Sequence, residues 1–518
     1  MMDLTSNFIA CFLLLAVVTA LIKKRKRSKA SQKLPPSPWK LPFVGHLHHL
    51  LGSPPYRALA KLAQKHGALM HLQLGEISSI VVSSPRLARE ILKTHDLALS
   101  DRAEILASKI VCYDSTNIAG SPYGPYWRQM RKICTMELLG AEKVRSFGSI
   151  MQDEAWHLIS SIQALSVAGA PINLTEKLSS YTSSMVFRAA FGKVSRWHKD
   201  TFVQVLKQAL PVVSTFDVSD LFPSYKMLHP FSRVSTKFMK MHQKIDKIFD
   251  NIIAERVDNL ARTRKGMGES SDEDLSDVLL RVKESGDLQI PITNNNIKAV
   301  LIDLFTGGLA NVPAAVEWAM AEMIRNPYVM AKAQIEIRGA FMGKKTTIEE
   351  TDVQDLEYLK LVVKETLRLH PPAALLLPRE CREQCEIDGY IIPIKTRVIV
   401  NVWAIGRDPE YWDDPESFRP ERFENSSIDF TGTHFEYLPF GAGRRMCPGI
   451  SFAMPNIELP LALLLYHFDW KLPTSLHSNG LDMSEAVGFS ARRKQHLCLL
   501  ASLCDPAHDI ACQTPVTD

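Results

Sequence analysis

The distribution of apolar and polar residues separates a short N-terminal segment from a long body. Most apolar residues of the body recur at the three-to-four-residue spacing of amphipathic helices, interrupted by Pro and Gly. Two regions depart from that spacing. Residues 70–74 and 80–82 flank Gly75-Glu76 and predict a short hairpin, and residues 385–402 form a second β-rich stretch. The pattern predicts a mainly α fold with minor β, in one large domain over residues 40–518.

The N-terminal segment has the composition of a membrane anchor. No residue is charged from Leu4 to Ile22, and five basic residues follow at 23–27. This run is near the lower end of the roughly 17–25 residues that span a bilayer. A cleaved signal peptide carries its positive charges before the apolar region, whereas only Asp3 stands there. We therefore expect a retained signal anchor over residues 1–27, with the body in the cytosol by the positive-inside rule.

Residues 28–39 connect this anchor to the body. They include Pro35, Pro36 and Pro38. Proline fixes φ and removes a backbone donor, so three of them close together stiffen the chain. The composition predicts a proline-rich hinge.

Charge and cysteine content limit the classes of partner. The formal net charge is +5, but residues 1–34 carry +6, so the remainder carries about −1. A near-neutral body without basic stripes argues against nucleic-acid binding. The nine cysteines, an odd number, indicate free thiols in a reducing cytosol. Cys381 and Cys385 resemble half of a zinc site, but no second Cys/His pair has suitable spacing, so ordinary thiols are favoured.

The most informative segment is the glycine-rich loop from Phe440 to Gly449, which contains Cys447. Glycine permits positive φ and a close approach of the backbone to a flat ligand. Adjacent arginines, and a helix predicted from Ile450 onward, would stabilise a thiolate at the cysteine. A plain surface loop and a dinucleotide-binding loop are the alternatives. The second lacks the third glycine of its pattern, because Met446 stands there.

The pattern F-x-x-G-x-R-x-C-x-G resembles the haem-binding loop of the cytochrome P450 family. The resemblance implies the cytochrome P450 fold and a haem b cofactor whose iron takes the Cys447 thiolate as axial ligand. A thiolate ligand favours O–O cleavage. Other family motifs follow in order across nearly the whole chain, and their wording is similar to plant microsomal A-type members. The fixed positions of the loop are filled by Phe440, Gly443, Arg445, Cys447 and Gly449.

The resemblance also assigns a structural network and a set of haem contacts. Glu365 and Arg368 form the family's E-x-x-R pair, and Arg422 joins them in a partly buried network that braces the cysteine loop. Without the resemblance, such an i,i+3 pair would be a surface ion pair. The residues that family analogy assigns to the haem propionates are Trp127, Arg131, Arg379 and Arg445, the first two on one face of a helix.

The predicted distal helix departs from the family pattern. Ala310 and Asn311 stand where the family usually has an acid followed by Thr, a pair that relays protons during oxygen cleavage. Pro313 has no N–H and therefore frees the carbonyl of Leu309. A water held by that carbonyl and the Asn311 amide could replace the relay. Thr306, Ala310 and Asn311 are the candidate catalytic residues.

The resemblance implies a monooxygenase that uses O2 and electrons from NADPH, delivered by NADPH-cytochrome P450 reductase, because the sequence has no flavin or nicotinamide motif. We expect a single-pass protein of the endoplasmic reticulum membrane with a monomeric catalytic unit. Its substrate is expected to be an apolar plant specialised metabolite, a terpenoid first and an indole alkaloid second. A haem-dependent isomerase, dehydratase or oxidative cyclase and a catalytically silent haem protein stay open. By family topology the pocket is lined by Ile110, Val111, Cys112, Phe305, Leu309, Ala310, Ala374, Leu375, Leu376, Val487 and Phe489.

Overall fold

The computed structural model describes residues 33–192, 201–205, 218–224, 233–264, 273–341, 348–473, 480–488 and 490–504. The predicted anchor, the first residues of the hinge and Phe489 lie outside these ranges. Helices dominate the described residues: α1 (Pro55–His66), α2 (Pro85–Arg89), α3 (Leu106–Val111), α4 (Pro125–Ile133), α5 (Ala141–Ser146), α6 (Gly148–Val167), α7 (Leu174–Phe191), α8 (Val218–Leu221), α9 (Arg233–Arg264), α10 (Leu275–Glu284), α11 (Asn294–Arg325), α12 (Pro327–Phe341), α13 (Glu350–Val353), α14 (Glu357–Leu369), α15 (Val402–Ile405) and α16 (Ile450–His467).

The strands form small sheets, as the sequence predicted. They are β1 (Leu69–Leu74), β2 (Ile77–Val82), β3 (Ile172–Asn173), β4 (Arg379–Glu380), β5 (Cys385–Ile387), β6 (Tyr390–Ile392), β7 (Arg397–Val400), β8 (Phe468–Lys471) and β9 (Cys498–Leu503). One sheet has the order β1-β2-β7-β4, a second β3-β9-β8, and β5 pairs with β6. In the first sheet the predicted hairpin is present, with Leu69 opposite Val82. Asp388 and Gly389 turn β5 into β6 with φ of 53° and 74°.

The long apolar helices α11 and α16 form the centre of the core. At the start of α11 the Thr293 side chain accepts from the Asn296 backbone N–H, a capping box that satisfies donors the helix leaves free. The helix is apolar around most of its circumference, as expected for a buried helix, and packs against α7 and α16. In the described part of the chain, α11 alone is long and apolar enough to cross a membrane, and much of it is buried in the protein.

The described part of the predicted hinge lies along the small sheets. Residues 33–40 have no helix or strand apart from a single bridge next to them. The Lys33 carbonyl accepts from the Ile391 backbone N–H at 3.0 Å, and the Pro36 carbonyl accepts from the His71 backbone N–H at 2.8 Å. The proline segment therefore runs between β6 and β1 before the body begins.

Candidate active site

The loop around Cys447 presents its sulfur next to a helix start. The Cys447 backbone N–H donates to the Phe440 carbonyl at 2.9 Å, which closes the loop. The Gly449 N–H donates to the Cys447 sulfur at 3.4 Å, just before α16 begins. Burial raises the pKa of the Cys447 thiol, while this N–H and the Arg131 guanidinium act in the opposite direction. A cation bound at the sulfur would shift the balance further towards the thiolate.

Gly443 is a position in this loop where no other residue fits. Its φ is +70°, a conformation that favours glycine. A Cβ there would lie 2.2 Å from the Leu92 carbonyl oxygen, a distance that requires the backbone to move. The glycine of the sequence motif is therefore explained by the close approach of the residues 90–94 segment.

A buried carboxylate, Asp96, fastens the same loop from the side. It accepts from the Arg379 guanidinium at 2.5 Å and from the Arg444 backbone N–H at 3.0 Å. Arg379 in turn donates to the Ala442 carbonyl at 2.9 Å. Arg379 thus contacts the cysteine loop directly. The sequence pattern did not identify Asp96, which stands in an ordinary-looking stretch before residue 100.

Arginines gather beside the loop with few carboxylates to match them. Arg445 donates to the carbonyls of Ser100 and Ile118 at 2.9 and 3.1 Å. Arg102, which sequence reasoning missed, donates to the Ala119 carbonyl at 3.0 Å. Burial and nearby arginines lower the pKa of Arg102, and together they lower the pKa of Arg445 to about 10. Such a group of half-buried cations suits a bound anion, and haem carries two carboxylates.

Trp127 and Arg131 both lie near this group. The Trp127 indole N–H donates to the Ile118 carbonyl at 3.0 Å, and the Arg445 guanidinium lies 4.2 Å from the indole ring. Burial lowers the pKa of Arg131, and the Cys447 sulfur is the first group that acts in the opposite direction. The structure thus brings Trp127, Arg131, Arg379 and Arg445 to one region, as expected. Their roles towards the propionates stay predictions.

Glu365, Arg368 and Arg422 contact one another in a network that is more deeply buried than a surface ion pair. Arg368 donates to both carboxylate oxygens of Glu365 at 2.7 and 2.8 Å, and both side chains are fully buried. Arg422 donates to the same carboxylate at 2.9 Å. Arg368 also donates to the carbonyls of Gly406 and Pro415 at 2.6 and 2.8 Å. The network therefore holds the irregular segment that leads to the cysteine loop.

The distal helix stays α-helical through Pro313. The Thr306 hydroxyl donates to the Ile302 carbonyl at 2.8 Å, within the helix. The Asn311 amide donates to the Gly307 carbonyl at 3.0 Å, which leaves its oxygen as an acceptor. Gly307 is exposed among half-buried residues in the middle of this helix, and a Cβ there would meet nothing within 4 Å. Open space therefore adjoins the helix one turn before Asn311, large enough for a group to approach its backbone.

The predicted pocket residues do not all share one surface. Ile110 is half-buried, Val111 and Leu309 are buried, and the half-buried Leu376 lies beside Gly441 of the cysteine loop. The Phe305 ring is fully buried, 4.6 Å from Phe202 in an aromatic cluster of the core. Leu375 belongs to a separate cluster behind the first sheet, and Val487 is 77% exposed. The pocket lining stays a prediction, and Phe489 lies outside the described residues.

The fold and the cysteine loop together define a haem-thiolate enzyme. The chain belongs to the cytochrome P450 family, whose model matches residues 35–497. It is therefore a monooxygenase with a haem-thiolate iron that uses O2 and electrons from NADPH, and its partners include a reductase and an apolar substrate.

Plant proteins are among its relatives, as the motif wording indicated. Premnaspirodiene oxygenase of Hyoscyamus muticus is 52% identical over 503 residues, 97% of this chain and 99% of that protein. 5-Epiaristolochene 1,3-dihydroxylase of Nicotiana tabacum is 51% identical over 503 residues, with the same coverage. Tabersonine 3-oxygenase of Catharanthus roseus is 54% identical over 496 residues, 95% of this chain and 96% of that protein.

Solved structures show the same fold. A zebra fish cytochrome P450 with progesterone superposes with a TM-score of 0.74 over 87% of this chain and all of that chain, at 22% sequence identity. A second structure of a zebra fish cytochrome P450, with abiraterone, gives a TM-score of 0.72 over 87% of this chain and 99% of that chain, at 23% identity. The predicted cytochrome P450 fold is confirmed.

Proposed function

We propose that Cys447 holds the haem iron through its thiolate and that the arginines beside it hold the propionates. The observation that carries this assignment is the placement of the Cys447 sulfur, with a backbone N–H and Arg131 near it, beside a group of half-buried arginines. A haem bound there would supply the oxygen chemistry: with two electrons from NADPH and two protons, one atom of O2 would enter the substrate and the other would leave as water. The side chains assigned to the propionates are Arg102, Arg131, Arg379 and Arg445, and Trp127, whose single indole N–H is donated to the Ile118 carbonyl, contacts the haem beside them.

The residues of the distal helix determine how much room the substrate has and how protons reach the reaction site. Gly307 leaves room beside the distal helix, because it has no side chain to fill the space. Asn311 holds a water through its free amide oxygen, and the carbonyl of Leu309, which Pro313 cannot satisfy, is its second partner. This water moves protons to the reaction site in place of the usual acid. Thr306 keeps its hydroxyl within the helix and shapes the surface beside Ala310.

The protein works on the cytosolic face of the endoplasmic reticulum membrane. Residues 1–27 form its single membrane anchor, residues 28–39 the hinge, and residues 40–518 a monomeric catalytic unit. Residues 4–22 carry no charge and are followed directly by the basic residues 23–27, an order that supports this topology. NADPH-cytochrome P450 reductase on the same membrane supplies the electrons.

The substrate is an apolar terpenoid, and an indole alkaloid is the second choice. The side chains predicted to line the pocket are almost all apolar, with few groups to orient a polar substrate. The relatives named for the oxidation of premnaspirodiene and 5-epiaristolochene support the terpenoid, and the relative named for tabersonine supports the alkaloid.

The test is turnover by the full-length enzyme with reductase, NADPH and O2 on premnaspirodiene, 5-epiaristolochene and tabersonine. We expect at least one terpenoid product that has gained an oxygen atom, dependent on NADPH. Cys447→Ser is the control and should give none. Conversion of substrate without NADPH would instead support an isomerase, dehydratase or other reaction that needs no reductase. Turnover of tabersonine alone would replace the terpenoid by the alkaloid.

The water held by Asn311 has a test of its own. General acid–base help is typically worth about 10²–10⁴-fold, so Asn311→Ala should cut product formation clearly while NADPH consumption continues and hydrogen peroxide is released. Ala310→Asp combined with Asn311→Thr should restore the usual relay and a tighter ratio of product to NADPH. If Asn311→Ala changes neither the rate nor this ratio, Asn311 does not hold the water.

A further inference from the structure

The distal helix carries a half-buried carboxylate that the proton relay does not use. Asp303 stands in α11 two turns before Asn311, next to the fully buried Leu301 and Ile302. An ionisable group in such a setting is costly unless it is hydrogen-bonded. The Asp303 carboxylate accepts from the Asn117 amide at 2.6 Å and from the Ala119 backbone N–H at 2.9 Å. Both donors belong to the loop between α3 and α4.

The second of these hydrogen bonds controls the orientation of one peptide group. The Ala119 N–H and the Ile118 carbonyl belong to the same planar trans peptide, in which N–H and C=O point in opposite directions. Asp303 holds the N–H side. The Ile118 carbonyl, on the other side, accepts from the Trp127 indole N–H at 3.0 Å and from the Arg445 guanidinium at 3.1 Å. One rigid plane therefore joins the distal helix to two of the side chains assigned to the haem.

The charges around this peptide favour the same arrangement. Burial raises the pKa of Asp303 to about 6, while the Ala119, Asn117 and Ile118 hydrogen bonds oppose the rise, and Arg102 adds to that opposition. The negative charge of Asp303 also raises the pKa of three neighbouring groups, the thiols of Cys112 and Cys134 and the phenol of Tyr126. The negative charge of Asp303 in turn opposes the lowering of the Arg102 pKa.

We propose that Asp303 is a positioning residue for haem binding. It orients the Ile118–Ala119 peptide, and the Ile118 carbonyl then sets the direction of the Trp127 indole and the Arg445 guanidinium. The inference rests on the proposed haem contacts of Trp127 and Arg445 and deepens them. If the Ala119 N–H loses its acceptor, the peptide can rotate, and both side chains lose the carbonyl that orients them.

The test compares variants by the rate at which the ferric full-length enzyme loses haem to excess apomyoglobin. Asp303→Ala removes the acceptor and should speed haem loss at least roughly tenfold, the size expected for one hydrogen bond to a charged group. Asp303→Asn keeps one oxygen for the Ala119 N–H and should stay within about threefold of wild type by the same reasoning. Asn117→Ala removes the other contact only and should behave like Asp303→Asn.

The matched control is Glu317→Ala, on the same helix. Glu317 is a hydrogen-bonded carboxylate too, and it is fully buried; it accepts from the Thr175 hydroxyl at 2.7 Å and lies 3.5 Å from Arg493, remote from the peptide. It should lose haem at the wild-type rate. If Asp303→Ala does not accumulate as folded protein, Asp303→Ser, whose hydroxyl falls short of Ala119, takes its place in the comparison.

The outcomes separate this inference from the proposed function. A red-shifted Soret band of the reduced carbon monoxide complex in every variant shows that the thiolate ligand is intact. With that band present, equal haem loss in Asp303→Ala and wild type would overturn the positioning role of Asp303. Combining Asp303→Ala with Trp127→Phe should give less than the product of the two single effects, because both act through one carbonyl; fully independent effects would also overturn it. Absence of this band from the wild-type protein would instead refute the assignment of Cys447 as the haem ligand.

Discussion

Arg368→Lys keeps the positive charge of the buried network but removes most of its hydrogen bonds. The guanidinium donates to both oxygens of Glu365 and to the carbonyls of Gly406, Pro415 and Ser417, at 2.6–3.1 Å. A lysine has three donors on a single nitrogen and cannot reach partners that lie in several directions. Some of these buried carbonyls would therefore lose their donor.

The expected cost follows from the burial of this network. Removal of one partner of a buried ion pair costs about 3–5 kcal/mol. Lysine retains the charge, and Arg422 still donates to Glu365. We therefore expect the free energy of unfolding to fall by about 3 kcal/mol, the lower end of that range. That is a large part of the total of about 5–15 kcal/mol typical of native proteins. The damage should fall first on residues 406–422 and on the cysteine loop that follows them.

The assay is a urea titration of the holoenzyme, followed by the red-shifted Soret band of the carbon monoxide complex and by far-ultraviolet circular dichroism. In Arg368→Lys the band should disappear at a lower urea concentration than the helical signal. Arg338→Lys is the control, because Arg338 is also buried but donates to the Phe468 carbonyl and Asp469 at the far end of α16. It should lose both signals together. An unchanged midpoint of the band in Arg368→Lys would refute the bracing role of the network.

Three further predictions concern other parts of the chain. Gly443→Ala should prevent stable haem incorporation, because its Cβ would collide with the Leu92 carbonyl; the helical Gly339→Ala has open space and should yield normal holoenzyme, and normal yield from Gly443→Ala would contradict the loop geometry. Burial raises the pKa of Glu458 to about 7, so the native state binds this proton more tightly than the unfolded state and stability falls as pH rises between about 4.5 and 7. Glu458→Gln should then be more stable than wild type at pH 8, by at most about 3 kcal/mol, with a smaller difference towards pH 5; an equal difference at both pH values in urea titrations would contradict this. Deletion of residues 1–34 should release the folded protein from membranes, whereas a truncated protein that stays fully bound in high salt would show that the attachment lies elsewhere.

The fold and the centre of the site were predictable because local sequence determines them. The residues around Cys447 and the Glu365–Arg368 pair stand at fixed spacings in short segments, so a single stretch of chain reveals each. The hairpin of β1 and β2 and the turn at Asp388 likewise follow from neighbouring residues.

The parts that were missed depend on contacts between distant segments. Asp303 and Ala119 are 184 positions apart in the sequence, and Asp96 contacts Arg379 across 283 positions. Each carboxylate stands alone in its own stretch, and no local pattern distinguishes it from a surface acid. Arg102 was missed for the same reason, because only the folded structure shows how many arginines approach it.

The backbone after α3 gives a similar lesson. Tyr113, Asp114 and Ser115 all have positive φ, at 50°, 57° and 56°, a conformation that is costly for residues other than glycine. Their types do not predict it. The Tyr113 hydroxyl donates to Asp246 of α9 at 2.7 Å, so a contact from another helix holds this turn in place. Such tertiary contacts also explain why the pocket lining could not be derived residue by residue.

Whether the Cys447 thiolate binds the haem iron is tested most directly by comparing the spectra of the reduced carbon monoxide complexes of Cys447→Ser and wild type. A thiolate ligand from Cys447 gives wild type a red-shifted Soret band, and a serine oxygen is a poor substitute for it. If Cys447 is the iron ligand, the band is present in wild type and absent from Cys447→Ser, even where haem is still bound. A red-shifted band in Cys447→Ser equal to that of wild type would contradict the assignment of Cys447 as the iron ligand.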